Sequence, residues 1–115
     1  MGTLIYGAGS RYEFDDRLLS HLKIAITTKL RMHEAFLVSW AQPVEQGSGR
    51  VSLWFSPAIP VQYLFDATKP PMLNRVWLDA MLLSATSPRG LIILPEEDAE
   101  SFLRQAAVHA PEQAN

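Results

Sequence analysis

The sequence predicts an α+β fold: a mainly antiparallel sheet with helices packed on one face. Three stretches carry that expectation. In Arg50-Val51-Ser52-Leu53-Trp54-Phe55-Ser56, the residues Val51, Leu53 and Phe55 alternate with Arg50, Ser52 and Trp54, the period-two pattern of a strand. Leu18, Leu19, Leu22, Ile26 and Leu30 recur at helical spacing. Leu73, Val76, Trp77, Ala80 and Met81 fill the i, i+3, i+4, i+7, i+8 template of a second amphipathic helix.

The remaining elements follow from local chemistry. Residues 3–6 and 11–14 read as strands joined by Gly7-Ala8-Gly9-Ser10, a hairpin whose glycines supply the turn. Asp15 and Asp16 suit a helix start, because a carboxylate there accepts free backbone N–H groups; the helix is expected over 16–32. Residues 34–41 form the next strand. Both of its faces are apolar, so periodicity leaves open which one turns inward. A loop ending Gly47-Ser48-Gly49 leads into the Arg50 strand. Pro57 and Pro60 interrupt the ladder before residues 61–65 resume it, and three strands in an antiparallel meander are expected. Asn74 caps the second helix. Ser87-Pro88-Arg89-Gly90 makes a turn, residues 91–94 a short strand, and Pro95 opens a third helix behind Glu96-Glu97-Asp98. The expected order is β-β-α-β-β-β-α-β-α, one domain over residues 1–110, with a frayed tail at 111–115.

Composition narrows the function. At 115 residues the chain builds a core without staples. A net charge of −2 gives no strong pull toward nucleic acid or an anionic membrane. The absence of cysteine excludes disulfides, thiolate catalysis and Cys-ligated zinc. The first residues lack the basic and apolar regions of a signal peptide, and no apolar run approaches the roughly 20 residues that span a bilayer. A cytoplasmic protein is expected. The apolar fraction of 48% is high against 19% charged residues, which points to apolar surface buried by a second chain.

No catalytic motif survives inspection. Gly7 and Gly9 resemble part of a dinucleotide-binding turn, but the third glycine is missing and a strand follows where a helix is needed. His33-Glu34 lacks the second histidine of a zinc-protease helix, and Leu37 stands there instead. The histidines at 21, 33 and 109 form no local ligand set. The acidic run at 96–98 already has a structural reason at a helix start. No metal, cofactor or catalytic residue is therefore assigned. Arg50 with Trp54 on one strand face, Trp40 on the neighbouring strand, Lys23 and Arg31 on the first helix, and Arg75 near Trp77 are the candidate interface or ligand-binding residues. Arginine beside aromatic rings suits protein–protein hot spots and also phosphate grip with base stacking.

Much of the chain resembles a known family. The opening Met1-Gly2-Thr3-Leu4-Ile5-Tyr6-Gly7, Glu13-Phe14-Asp15-Asp16-Arg17, Ser39-Trp40, Arg50-Val51-Ser52-Leu53-Trp54, Asn74-Arg75-Val76-Trp77 and Ser87-Pro88-Arg89-Gly90-Leu91 are similar to a family of small bacterial proteins of unknown function. Its members have often been labelled ATP-dependent DNA ligases. The label implies nucleotidyl transfer through the lysine of a Lys-x-Asp-Gly motif. Here Lys23 is followed by Ile24-Ala25-Ile26, Lys29 by Leu30-Arg31-Met32 and Lys69 by Pro70-Pro71-Met72, and none fits.

Three functions are ranked on these grounds. The first is a non-catalytic domain acting through homodimerisation and protein–protein contacts, because both faces of several strands are apolar and a half-wet sheet alternates more cleanly. The second is a nucleic-acid accessory protein using Arg50, Trp54, Lys23 and Arg31. The third is a small-molecule sensor or enzyme, for which no acid–base pair can be named.

Overall fold

The computed structural model describes residues 1–108. His109 and the expected tail at 111–115 lie outside the described residues. The strands are β1 (Gly2–Tyr6), β2 (Ser10–Phe14), β3 (Phe36–Ala41), β4 (Arg50–Phe55), β5 (Val61–Leu64) and β6 (Leu91–Ile92). The helices are α1 (Asp16–Arg31), α2 (Arg75–Ser84) and α3 (Ala99–Val108). All lie within or close to the expected spans, except that the third helix begins at Ala99 behind a 3-10 turn over Glu96–Asp98 rather than at Pro95; the class is α+β with mostly antiparallel pairing.

The strands divide into two sheets, ordered β2-β1-β5 and β4-β3-β6. This corrects the expected meander, because β5 leaves β4 and pairs antiparallel with β1. The prolines explain the departure. The chain turns between them, with the Ile59 N–H on the Ser56 carbonyl, and the Pro60 carbonyl then accepts from the Gly7 N–H in the β1–β2 turn. That bond delivers Val61 opposite Tyr6. The short β6 runs parallel to β3, with Leu91 opposite Val38. It is held from the other side by Ser84 of α2, whose hydroxyl accepts from the Ile92 N–H at 2.9 Å.

Each sheet has one apolar face, and the two faces meet. Leu4, Tyr6, Tyr12 and Phe14 line one side of the first sheet. In the second, β3 and β4 pair Phe36 with Phe55, Val38 with Leu53 and Trp40 with Val51. Edge-on ring contacts join the faces, Tyr6 to Phe55 at 5.4 Å and Trp40 to Tyr12 and Phe14 at 5.4 and 5.1 Å. Beyond these contacts, Leu19, Leu22 and Ile26 of α1 and Trp77 and Met81 of α2 complete one core. Of the expected core residues, Phe55, Leu22, Ile26, Trp77 and Met81 are buried, while Val51, Leu53 and Leu18 are half-buried. The apolar surplus of the sequence is thus largely absorbed within the chain, by sheet against sheet as well as helix against sheet.

The helix starts are chemically specified. The Asp15 carboxylate accepts from the Arg17 N–H at 3.0 Å, and the Asn74 side-chain oxygen accepts from the N–H groups of Val76 and Trp77. Among the described residues no helix is long and apolar enough to cross a membrane.

Candidate functional site

The register of β3 on β4 settles which face of β3 turns inward. Phe36, Val38 and Trp40 point into the core, so Leu37, Ser39 and Ala41 share the outer face with Trp54, Ser52 and Arg50. Ile92 joins them from β6, opposite Ser39. Nothing among the described residues covers this face. Trp54 is 52% exposed on the edge strand, and Leu37 opposite it and Ile92 on the far strand are half-buried. At the centre the Ser39 and Ser52 hydroxyls hydrogen-bond to each other at 2.8 Å. Arg50 and Arg89 flank an open groove of about 1150 Å³ over this sheet, and neither makes an ion pair among the described residues.

The groove lining contains hydroxyls, guanidinium groups and apolar surface, and no carboxylate or imidazole. Such a set can bind, orient and exclude water, but it offers no general base. The backbone of β4 is also tied from below, where the Tyr6 hydroxyl donates to the Trp54 carbonyl at 2.5 Å. That contact fixes the strand while leaving the indole free.

The expected site residues do not converge. Arg50 and Trp54 share the open face. Trp40 turns its ring to the opposite face from Trp54, packed against Tyr12 and Phe14, and also lines the groove beside Arg50. Lys23 lies in a separate cleft beside Phe65, its ammonium 5.6 Å from the ring centroid. Arg31 is exposed at the end of α1. Arg75 is exposed on α2 and reaches Asp79 at 3.2 Å, away from the buried Trp77. Arg89, Ser39 and Ser52 belong to the open face and were not singled out from the sequence. Their only sequence signal is strand alternation for the serines, and Arg89 has none.

A second polar assembly sits where α1, α2 and the segment after β6 meet. The Arg17 guanidinium holds both carboxylate oxygens of Glu96, at 2.9 and 2.7 Å, and donates to the Met72 carbonyl. Asn74 donates to the same carboxylate through its amide nitrogen at 2.8 Å. These two donors hold the Glu96 carboxyl far below the usual carboxylate range, at about 2. His21 is fully buried, its ring 4.6 Å from that of Trp77. The Asn74 N–H points at its Nε2, so the proton resides on Nδ1, which donates to the Arg17 carbonyl at 2.8 Å. Every member has a protein partner, so the cluster is a structural lock joining three elements. The acidic run at 96–98 has its explanation here, because Glu96 is committed to Arg17 and Asn74.

Fold and face together define the class: a compact α+β domain of two three-stranded sheets, with one sheet face left open. Residues 1–96 match the family described as Domain of unknown function (DUF7882), and the chain belongs to that family. The matched span contains both sheets, α1, α2 and the whole open face, and stops before α3. No curated protein and no solved structure matches the chain.

Proposed function

We propose that this chain is a non-catalytic domain that works by docking, with a second copy of itself as its partner, through the outer face of β4-β3-β6. The observation that supports it is the half-exposed Trp54 on the edge strand, opposite Leu37 and on the same face as Ile92 of β6. Burying a large aromatic with aliphatic neighbours is the usual core of an interface. The face is small. Two six-residue strands and the two-residue β6, at about 3.3 Å per residue and about 4.8 Å per strand, cover only about 220 Å² in plan. A standard interface buries about 800 Å² per partner. Pairing is therefore weak and concentration-dependent. Sedimentation velocity from micromolar to millimolar protein tests it. A shift toward dimer that Trp54→Ser removes supports the proposal, and a monomer at every concentration ends it.

A second function is favoured by charge. Arg50 and Arg89 border the groove with no acid in its lining, which suits an anionic strand lying along it. Fluorescence anisotropy with single- and double-stranded oligonucleotides across a salt series decides it, since binding that weakens with salt is required. The ligase label of similar proteins finds no support in the lysines. Lys29 is tied to Glu34 at 2.8 Å, and Lys23 and Lys69 lie in a cleft away from the open face. Incubation with labelled ATP is expected to leave no adenylate on the protein.

A further inference from the structure

We propose that the cleft between the first turns of α1 and the loop after β5 binds a small molecule with a planar apolar body and one anionic head group, a carboxylate or a phosphate. The cleft measures about 560 Å³, within the range of about 300–1,000 Å³ that holds small ligands. Its walls are apolar, formed by Phe65, Ile24 and Pro71. Lys23 and Lys69 supply its cationic groups. They come from different elements, and neither is paired with a carboxylate among the described residues.

The other charged groups of the cleft are already engaged. Asp16 accepts from the Asp66 and Ala67 N–H groups, and the Ala67 bond above all holds its carboxyl below the ordinary range. Asp15 caps α1 through the Arg17 N–H, and the Arg17 guanidinium is filled by Glu96 and the Met72 carbonyl. The two ammonium groups are thus the charged donors left for a ligand, beside the Ser20 and Thr68 hydroxyls of the lining. The Lys23 ammonium stands 5.6 Å from the Phe65 ring centroid, so an apolar body seated beside that ring has the ammonium within reach of its head group. Lysine suits a head group of either kind, because it acts as a point charge rather than a planar fork. The cleft shares no residue with the open groove on the second sheet, so this proposal stands or falls apart from the docking surface.

The test is a fluorescence titration of the full chain with anilinonaphthalene sulfonate, a planar dye with one anionic group. Saturable binding is expected, weakened at least about tenfold in the double variant Lys23→Ala, Lys69→Ala. Arg104→Ala, which removes one positive charge on α3, should bind as the parent does. Neutral phenylnaphthylamine should bind at least about tenfold more weakly than the sulfonate. Circular dichroism establishes that each variant is folded. Unchanged affinity in the double variant, equal affinity for the neutral dye, or no saturable binding overturns the proposal.

Discussion

The backbone N–H of Asn74 donates to Nε2 of His21 at 2.8 Å, across 53 residues of chain. The bond joins the start of α2 to α1 through the Asn74 backbone, independently of the side chain that caps the helix. The Asn74 side chain spends its oxygen on Val76 and Trp77 and its amide on Glu96. Asn74→Ala is therefore expected to lower folding stability by about 1–2 kcal/mol, the value of a cap plus one charge-assisted bond. Asn74→Ser, which keeps a capping oxygen, should recover part of it. Urea denaturation of the two variants checks the order.

Glu96 makes stability depend on pH. Its folded carboxyl sits at about 2, below the ordinary 4.5, so the folded state binds fewer protons than the unfolded one. The contribution is complete above the ordinary value and is lost as pH falls from about 4.5 toward 2. Glu96→Gln should lower stability at neutral pH and flatten the acid limb over that window. Denaturation midpoints measured between pH 6 and pH 2 read this directly, and an unchanged acid limb would contradict it.

Gly90 allows the β3–β6 pairing. Its φ of +83° lies in the left-handed region, and an added Cβ would stand 2.4 Å from the Leu37 carbonyl oxygen. Backbone strain and a backbone clash act together at a fully enclosed position. Gly90→Ala should cost more than about 2 kcal/mol. Thermal unfolding measures it, and a melting temperature within a degree or two of the parent would refute the geometry.

Tyr6 ties the two sheets through its hydroxyl on the Trp54 carbonyl. Tyr6→Phe keeps the ring against Phe55 and removes only the bond, so a loss of about 1 kcal/mol is expected. Amide exchange should rise in β4 more than in β3, because β4 is the edge strand that the hydroxyl holds.

Trp54 should behave in the opposite way. Its indole is half-exposed and takes part in no ring contact among the described residues. Trp54→Ser is expected to change folding stability by less than about 1 kcal/mol while abolishing self-association. A large loss of stability in the dilute monomer would show that the ring serves the fold instead.

Side-chain periodicity is a property of neighbours in the chain, and it located α1, α2, β3 and β4 here. It also oriented β4 correctly, with Phe55 inward and Trp54 outward, because polar serines and Arg50 mark the outer side. It was silent on β3, where Leu37 and Val38 are equally apolar and only the register against β4 separates them. It counted Trp40 with Trp54 for the same reason. The capping residues Asp15 and Asn74 were legible, since their bonds reach only two or three residues along the chain.

Local pattern therefore specified the elements, their caps and most of their inward faces, because each depends on contacts within a few residues. The pairing of β5 with β1 did not follow from it, since backbone hydrogen bonds between strands are the same for every side chain. Nor did the Arg17–Glu96 clamp across 79 residues, or the meeting of Lys23 with Lys69 at one cleft. Those depend on how the two sheets and three helices close around a shared core, and that closure alone leaves the face of Trp54 open.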